Sequence, residues 1–214
     1  SIFASTGNGL WTALTTTSSF GTDSNRNTSI TLAGDYAVIS DGVSQPVAYD
    51  GLALTSTTLV QPTTGANWPI FTGATYHLNR LFYHGVSTAP SRVGVTAANN
   101  IFDSTGADTT SFTVNAGDGD RVMAVSKPFF GSVYIFKGPQ KGSVFQLSGS
   151  ALADLAIAQV GYGAPVLNSR ALVTTPTDIF WLSQFGVHSL ETTVKFGNVE
   201  QAFLSLPIQK MWRE

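Results

Sequence analysis

The chain has no cysteine among its 214 residues. That excludes disulfide staples, thiolate metal sites and cysteine nucleophiles. Charge is also scarce: Asp, Glu, Lys and Arg make up 11% of the residues, under half of the usual quarter. No apolar run approaches the roughly 18 residues of a membrane-spanning helix. Ser1 to Ser5 lacks the basic-then-apolar pattern of a signal segment. The eleven basic residues are scattered from Arg26 to Arg213 and the net charge is -2. The sequence therefore shows no concentrated positive footprint of the kind nucleic-acid binding needs. Recognisable reaction signatures are missing too: there is no G-x-S-x-G, P-loop, G-x-G-x-x-G or H-E-x-x-H.

What is present points to β structure. Hydrophobic residues reach 43%, and 21 Gly and 9 Pro supply turn formers. With so little charge, the polar surface must come from Ser, Thr, Asn and Gln. Threonine's branched Cβ suits a pleated strand. A low surface charge fits a chain that lives packed among other chains, since a freely diffusing protein normally keeps charge for solubility.

The most informative feature is a repeated unit, a polar start followed by an apolar run and a Gly. It recurs as Asp35–Gly42, Asn79–Gly85, Gly131–Gly138 and Thr177–Gly186. A second strand-like segment follows each: Pro46–Tyr49, Ser91–Val95, Ser143–Leu147 and Val187–Leu190. Each unit reads as a β-hairpin in which Gly provides the turn conformation. The terminal glycines at 42, 85, 138 and 186 are 43, 53 and 48 residues apart, close to the period of a four-stranded propeller blade. Ser29–Ala33, Leu52–Val60, Phe112–Asn115, Arg121–Val125 and Ala171–Thr174 are candidates for the remaining strands.

The expected fold is thus all-β, a propeller-like repeat of four-stranded blades, about four to five in number. The ring is either small or completed by residues outside the chain. A β-sandwich or jelly roll is the alternative, because its strands also recur at regular intervals. The expected organisation is an N-terminal segment over 1–34 that forms a strand or arm, repeats over 35–190, and a C-terminal segment over 191–214. The one helical candidate is Asn198–Leu206, where Val199, Ala202, Phe203 and Leu206 share a face before Pro207.

The order of these units resembles the β-propeller domain of tail and neck proteins of tailed bacteriophages, of the nozzle or tubular type. The run from Asp35 to Gly51 resembles an opening blade. Tyr76–Gly85 with Pro90–Val93 is similar to the next. Gly117–Asp120 followed by Tyr134–Lys137 matches a third, and Phe180–Leu190 a fourth. The resemblance implies a structural virion protein, repeated in a ring. Its partners would be other copies of itself and neighbouring tail or neck proteins, with DNA passing through a channel without specific binding and no membrane contact. Two other functions remain open: a host-glycan-binding adhesin module and a glycan hydrolase.

No residue is assigned a catalytic, cofactor-binding or metal role, and no cofactor is expected. His77, His84 and His188 are the only histidines. The spacing of the first two places them on opposite strand faces. Gly117-Asp-Gly-Asp120 could offer oxygen ligands to Ca²⁺ but lacks a complete set, and a tight turn is the simpler reading. The three Glu (Glu191, Glu200, Glu214) cluster late, and the ten Asp mostly border turns, so no carboxylate pair for sugar hydrolysis stands out. Among Trp11, Trp68, Trp181 and Trp212, Trp181 reads as core. Trp68, beside Pro69, reads as a loop residue available to a partner. Asn27-Thr-Ser29 fits a glycosylation triplet of the kind that arises by chance.

Overall fold

The computed structural model describes residues 2–5, 11–16, 28–52, 55–62 and 64–196. The expected helix over 198–206, with Trp212, lies outside the described residues. The chain divides into two compact units. One comprises 1–89 with 94–111, the other 90–93 with 112–214.

The first unit opens with the hairpin β1 (Ile2–Ser5) and β2 (Trp11–Thr16). An antiparallel meander follows: β3 (Ser29–Ala33), β4 (Tyr36–Ser40), β5 (Val47–Tyr49) and β6 (Thr55–Thr58). β2 adds to its outer edge parallel to β6, giving the order β1-β2-β6-β5-β4-β3. A second meander contains β7 (Gly73–His77), β8 (Arg80–His84), β9 (Arg92–Val95) and β10 (Thr110–Thr113), in the order β10-β9-β8-β7. Leu78 and Asn79, both at positive φ, make the two-residue turn between β7 and β8. That twist matches a tight hairpin.

The core of this unit follows strand alternation. Ala33, Val38 and Ala48 lie on one face of the first meander and pack with Leu59, Trp68, Phe71, Leu81 and Ile101. Thr31 Oγ1 donates to the Ala74 carbonyl at 2.7 Å, so the β3 edge is held beside β7.

The second unit repeats the plan. Its first meander is β11 (Arg121–Val125), β12 (Val133–Gly138), β13 (Val144–Ser148) and β14 (Ala156–Gly161), in chain order. Next comes the three-stranded sheet β15 (Leu172–Thr174), β16 (Ile179–Ser183) and β17 (Gly186–Ser189), also in chain order. The helix α1 (Leu190–Phe196) follows. The core gathers Ala124, Phe136, Val144, Ile179, Trp181 and Leu190, with Trp181 tilted against Phe136 at a 5.0 Å ring separation.

The described fold is all-β, built of successive antiparallel meanders. The four sequence hairpins become β4–β5, β8–β9, β12–β13 and β16–β17: the middle pair of the β3–β6 meander in the six-stranded first sheet, and the second and third strands of each of the other three. Their glycines differ in role. Gly42 and Gly85 take left-handed φ values of 76° and 78° just after a strand. Gly138 does not. It ends β12, and the reversal falls to Gly142 at φ 61°. A Cβ there would stand 2.0 Å from the Pro165 nitrogen.

Candidate functional site

The densest polar chemistry lies around a lysine in the middle of a sheet. Lys137, on β12, pairs across the ladder with Val122, and its side chain is fully buried. Its ammonium donates to the carbonyls of Val114 and Asn115 at 2.8 and 2.9 Å and to both carboxylate oxygens of Asp118 at 2.8 Å. All four partners are acceptors, which suits an ammonium and satisfies its donors away from water.

Asp118 is held in place by its neighbours. Gly117 and Gly119 flank it at φ 87° and 86°, a conformation that side chains resist. Burial pushes the Asp118 carboxyl up. Hydrogen bonds from Lys137 and the Asp120 N–H, with the charges of Lys137 and Lys141, outweigh that and leave it below the ordinary value. Asp120 turns the other way. It accepts the N–H groups of Gln140, Lys141 and Gly142 at 2.6, 2.8 and 2.9 Å. Gly117–Asp120 is therefore a double brace: one carboxylate fixes its own loop to β12, and the other fixes the β12–β13 reversal.

The first unit contains a looser counterpart. Arg80, at the start of β8, donates to the carbonyls of Thr96 and Asp108 at 2.8 and 2.6 Å and to the Asp108 carboxylate at 2.7 Å. The Asp108 carboxyl is lowered chiefly by the Arg80 hydrogen bond, then by the Ala98 N–H. Here too a strand cation gathers the backbone of a loop.

A third cluster has the elements of a nucleophile and base. Ser183 Oγ lies 2.7 Å from His188 Nε2, and the imidazole stacks on Trp181 at 5.4 Å and 19°. Burial lowers the His188 pKa to about 4, which keeps the ring neutral at physiological pH. Asp178 is not the third member of a triad. Its oxygens accept the N–H groups of Ile179 and Glu191 and the Ser189 hydroxyl. Ser183 and His188 are both fully buried, so no substrate reaches the pair as it stands. Its chemical work is to satisfy polar atoms inside the β16–β17 hairpin.

The structure relocates several residues singled out from sequence. His77 and His84 do not share a strand. The turn at Leu78-Asn79 intervenes, so the two lie on the same face of the β7–β8 hairpin, not on opposite faces as expected, but at its opposite ends, His77 opposite Arg80 and His84 opposite Gly73. Trp68 is not available to a partner. It is buried against Phe71 and Tyr83, and its indole N–H donates to the Phe102 carbonyl at 2.9 Å. Trp181 is core. Glu191 is exposed at the start of α1. The side chain of Trp11, residue Asn27 and residues Glu200 and Glu214 lie outside the described ones. Among the described residues no group of three or more His, Asp or Glu is placed to hold a metal ion.

Sequence reasoning missed Lys137, Arg80 and the Ser183–His188 pair. Lys137 carried a signal: a cation inside an apolar strand, Val133–Gly138, calls for a buried partner. No protein-family model matches the chain, and no curated protein matches it.

Proposed function

We propose that the chain is a structural, non-enzymatic module of the tail or head-to-tail neck of a tailed phage. In this reading its meanders are blades of a propeller-like array, and the module is present in several copies beside neighbouring tail proteins. One observation carries it: four sheets follow one another along the chain, each containing one of the sequence hairpins, which forms the second and third strands of the last three sheets and the middle pair of the β3–β6 meander in the six-stranded first. The motifs that resemble the phage domain fall on those hairpins in the same order.

The fate of the buried ionisable groups supports this reading. Lys137, Asp118, Asp120 and Arg80 all bind loop backbone of their own unit. That use stiffens a scaffold. Large apolar side chains meanwhile face outward, among them Leu52 and Phe130, as expected where other chains are contacted. A net charge of -2 suits a wall past which DNA slides, since a strongly basic lining would hold phosphates.

The test is quantitative composition of the purified particle. The expected result is a fixed, multiple copy number per tail by mass spectrometry. Absence of the chain from particles, together with glycan binding or glycan cleavage by the free protein, would overturn the reading in favour of an adhesin or a hydrolase.

A further inference from the structure

Basic residues that lie scattered in the sequence are gathered by the fold. In the second unit the exposed cations are Arg92, Arg121, Lys127, Lys141 and Arg170, and the exposed carboxylates among the described residues are Asp154 and Glu191. The unit's other described carboxylates are taken up inside it: the Asp118 side chain is 3% accessible, and Asp120 and Asp178 are buried. The first unit is the reverse. Among its described residues the exposed charged side chains are Asp35, Asp50 and Asp108, and the one cation, Arg80, is buried.

Three of the second unit's cations converge on one residue, Asp120. Arg121 follows it in the chain and pairs with Gly138 across the ladder. The Lys141 N–H donates to its carboxylate at 2.8 Å. Arg92 is brought there by its neighbours: the Ser91 hydroxyl donates to the Asp120 carbonyl at 3.0 Å, and the Val122 N–H to the Pro90 carbonyl at 2.8 Å. No carboxylate among the described residues forms an ion pair with any of the three. Arg121 Nε donates to the Met123 sulfur at 3.1 Å instead. The adjoining exposed side chains Thr113, Asn115 and Gln140 add hydroxyl and amide groups.

That composition fits a phosphate backbone. Phosphate contacts come from Arg and Lys together with Ser, Thr, Asn and Gln, and a planar guanidinium grips a phosphate with two parallel bonds. The core of a protein interface is instead apolar and poor in charge. The frame is also stiff, because Asp120 binds three successive N–H groups of the β12–β13 reversal, so little ordering is needed on contact.

We propose that the Asp120 end of the second unit binds the phosphodiester backbone of duplex DNA without regard to sequence, through Arg92, Arg121 and Lys141. Three contacts give a weak, salt-sensitive hold, which guides DNA without trapping it. The contact gives a place to the DNA passage of the structural reading above. It is tested on the free chain, whereas that reading is tested on the particle, so the two fail separately.

The test is fluorescence anisotropy of a short labelled duplex with the full chain. Binding should be measurable at about 20 mM salt, and log K should fall against log salt with a slope of about -2.7, the value for three phosphate contacts. Arg92→Gln, Arg121→Gln and Lys141→Gln should each weaken binding about tenfold and reduce the slope by about 1. Lys127→Gln removes the same charge from beyond the other end of β11 and should change neither. Circular dichroism checks the fold of each variant.

Absence of binding at that salt overturns the proposal. So does a Lys127→Gln loss equal to the other three, which assigns binding to overall charge, and so does affinity retained when all three are replaced together. Polygalacturonate supplies a second polyanion. Binding to it as tight as to DNA, and lost in the same variants, would make the patch an acidic-glycan site and overturn the DNA assignment.

Discussion

The two units solve one problem with different chemistry. Each must hold a long loop against a sheet, and each does so by reaching from a strand with a cation to loop carbonyls and one aspartate. In the first unit the cation is Arg80 and the carboxylate, Asp108, is half exposed: the side chains are 9% and 54% accessible. In the second the pair is Lys137 and Asp118, at 0% and 3%. Solvent screens the first carboxylate and replaces it readily when it is lost. The second is sealed, so removing either partner leaves an uncompensated charge in the interior. The same contact list therefore describes a weak brace in one unit and a structural keystone in the other.

The sharpest way to break this comparison is Asp118→Ala. It should cost about 4 kcal/mol of stability in denaturant unfolding, the range for a broken buried ion pair. A loss below about 1 kcal/mol would mean that water reaches the lysine.

Acid titration comes next. His188 has its pKa lowered to about 4 from 6.5, so the unfolded chain takes up a proton first. Stability from this group is complete above pH 6.5 and is lost as the pH falls toward 4, by about 3 kcal/mol at most. Asp118 behaves as a depressed carboxylate, and its contribution is lost only below its ordinary 3.8. The two windows are thus separate. His188→Gln should flatten the limb between pH 6.5 and 4 and leave the lower one. An unchanged upper limb would assign it to another group.

Exchanging the cation gives a smaller effect. Arg80→Lys keeps the charge but not the planar fork that serves two carbonyls and a carboxylate, and should cost about 1–2 kcal/mol. The smallest effect should come from Asp108→Ala. Its destabilisation should be slight and should shrink further in 1 M salt, where the Debye length is about 3 Å. The Asp118→Ala deficit should persist under the same conditions. Equal salt sensitivity of the two would erase the distinction between the units.

The hairpins were legible in the sequence because three local signals coincide there: β-branched or aromatic runs, strand length and a closing Gly. Ser29–Ala33 and Arg121–Val125 appear as β3 and β11 with the bounds read from sequence. β14 was not legible, since Ala156-Ile-Ala-Gln-Val-Gly161 is alanine-rich and its strand state comes from pairing with β13. The helix at Leu190–Phe196 was missed because Leu190 and Thr193 are placed by packing rather than by a helical stripe. Thr193 Oγ1 donates to the Ser189 carbonyl, and the residue is buried.

Trp68 shows the limit of local reading. A Trp-Pro pair outside any strand looks like surface, yet the segment folds over the sheet and its ring fills the core. The Gly117–Asp120 brace was legible as a turn from its glycines. Its partner Lys137 lies 19 residues from Asp118, and no local pattern links the two. Pairings of that kind exist only once the loop has closed on the sheet.

The structural reading of the chain is tested most directly by electron cryo-microscopy of the purified phage particle. The expected density shows several identical copies around the tail axis, with β4–β5, β8–β9, β12–β13 and β16–β17 at equivalent places in successive blades. A particle without the chain, or a single copy with its sheets stacked as a sandwich, would contradict it.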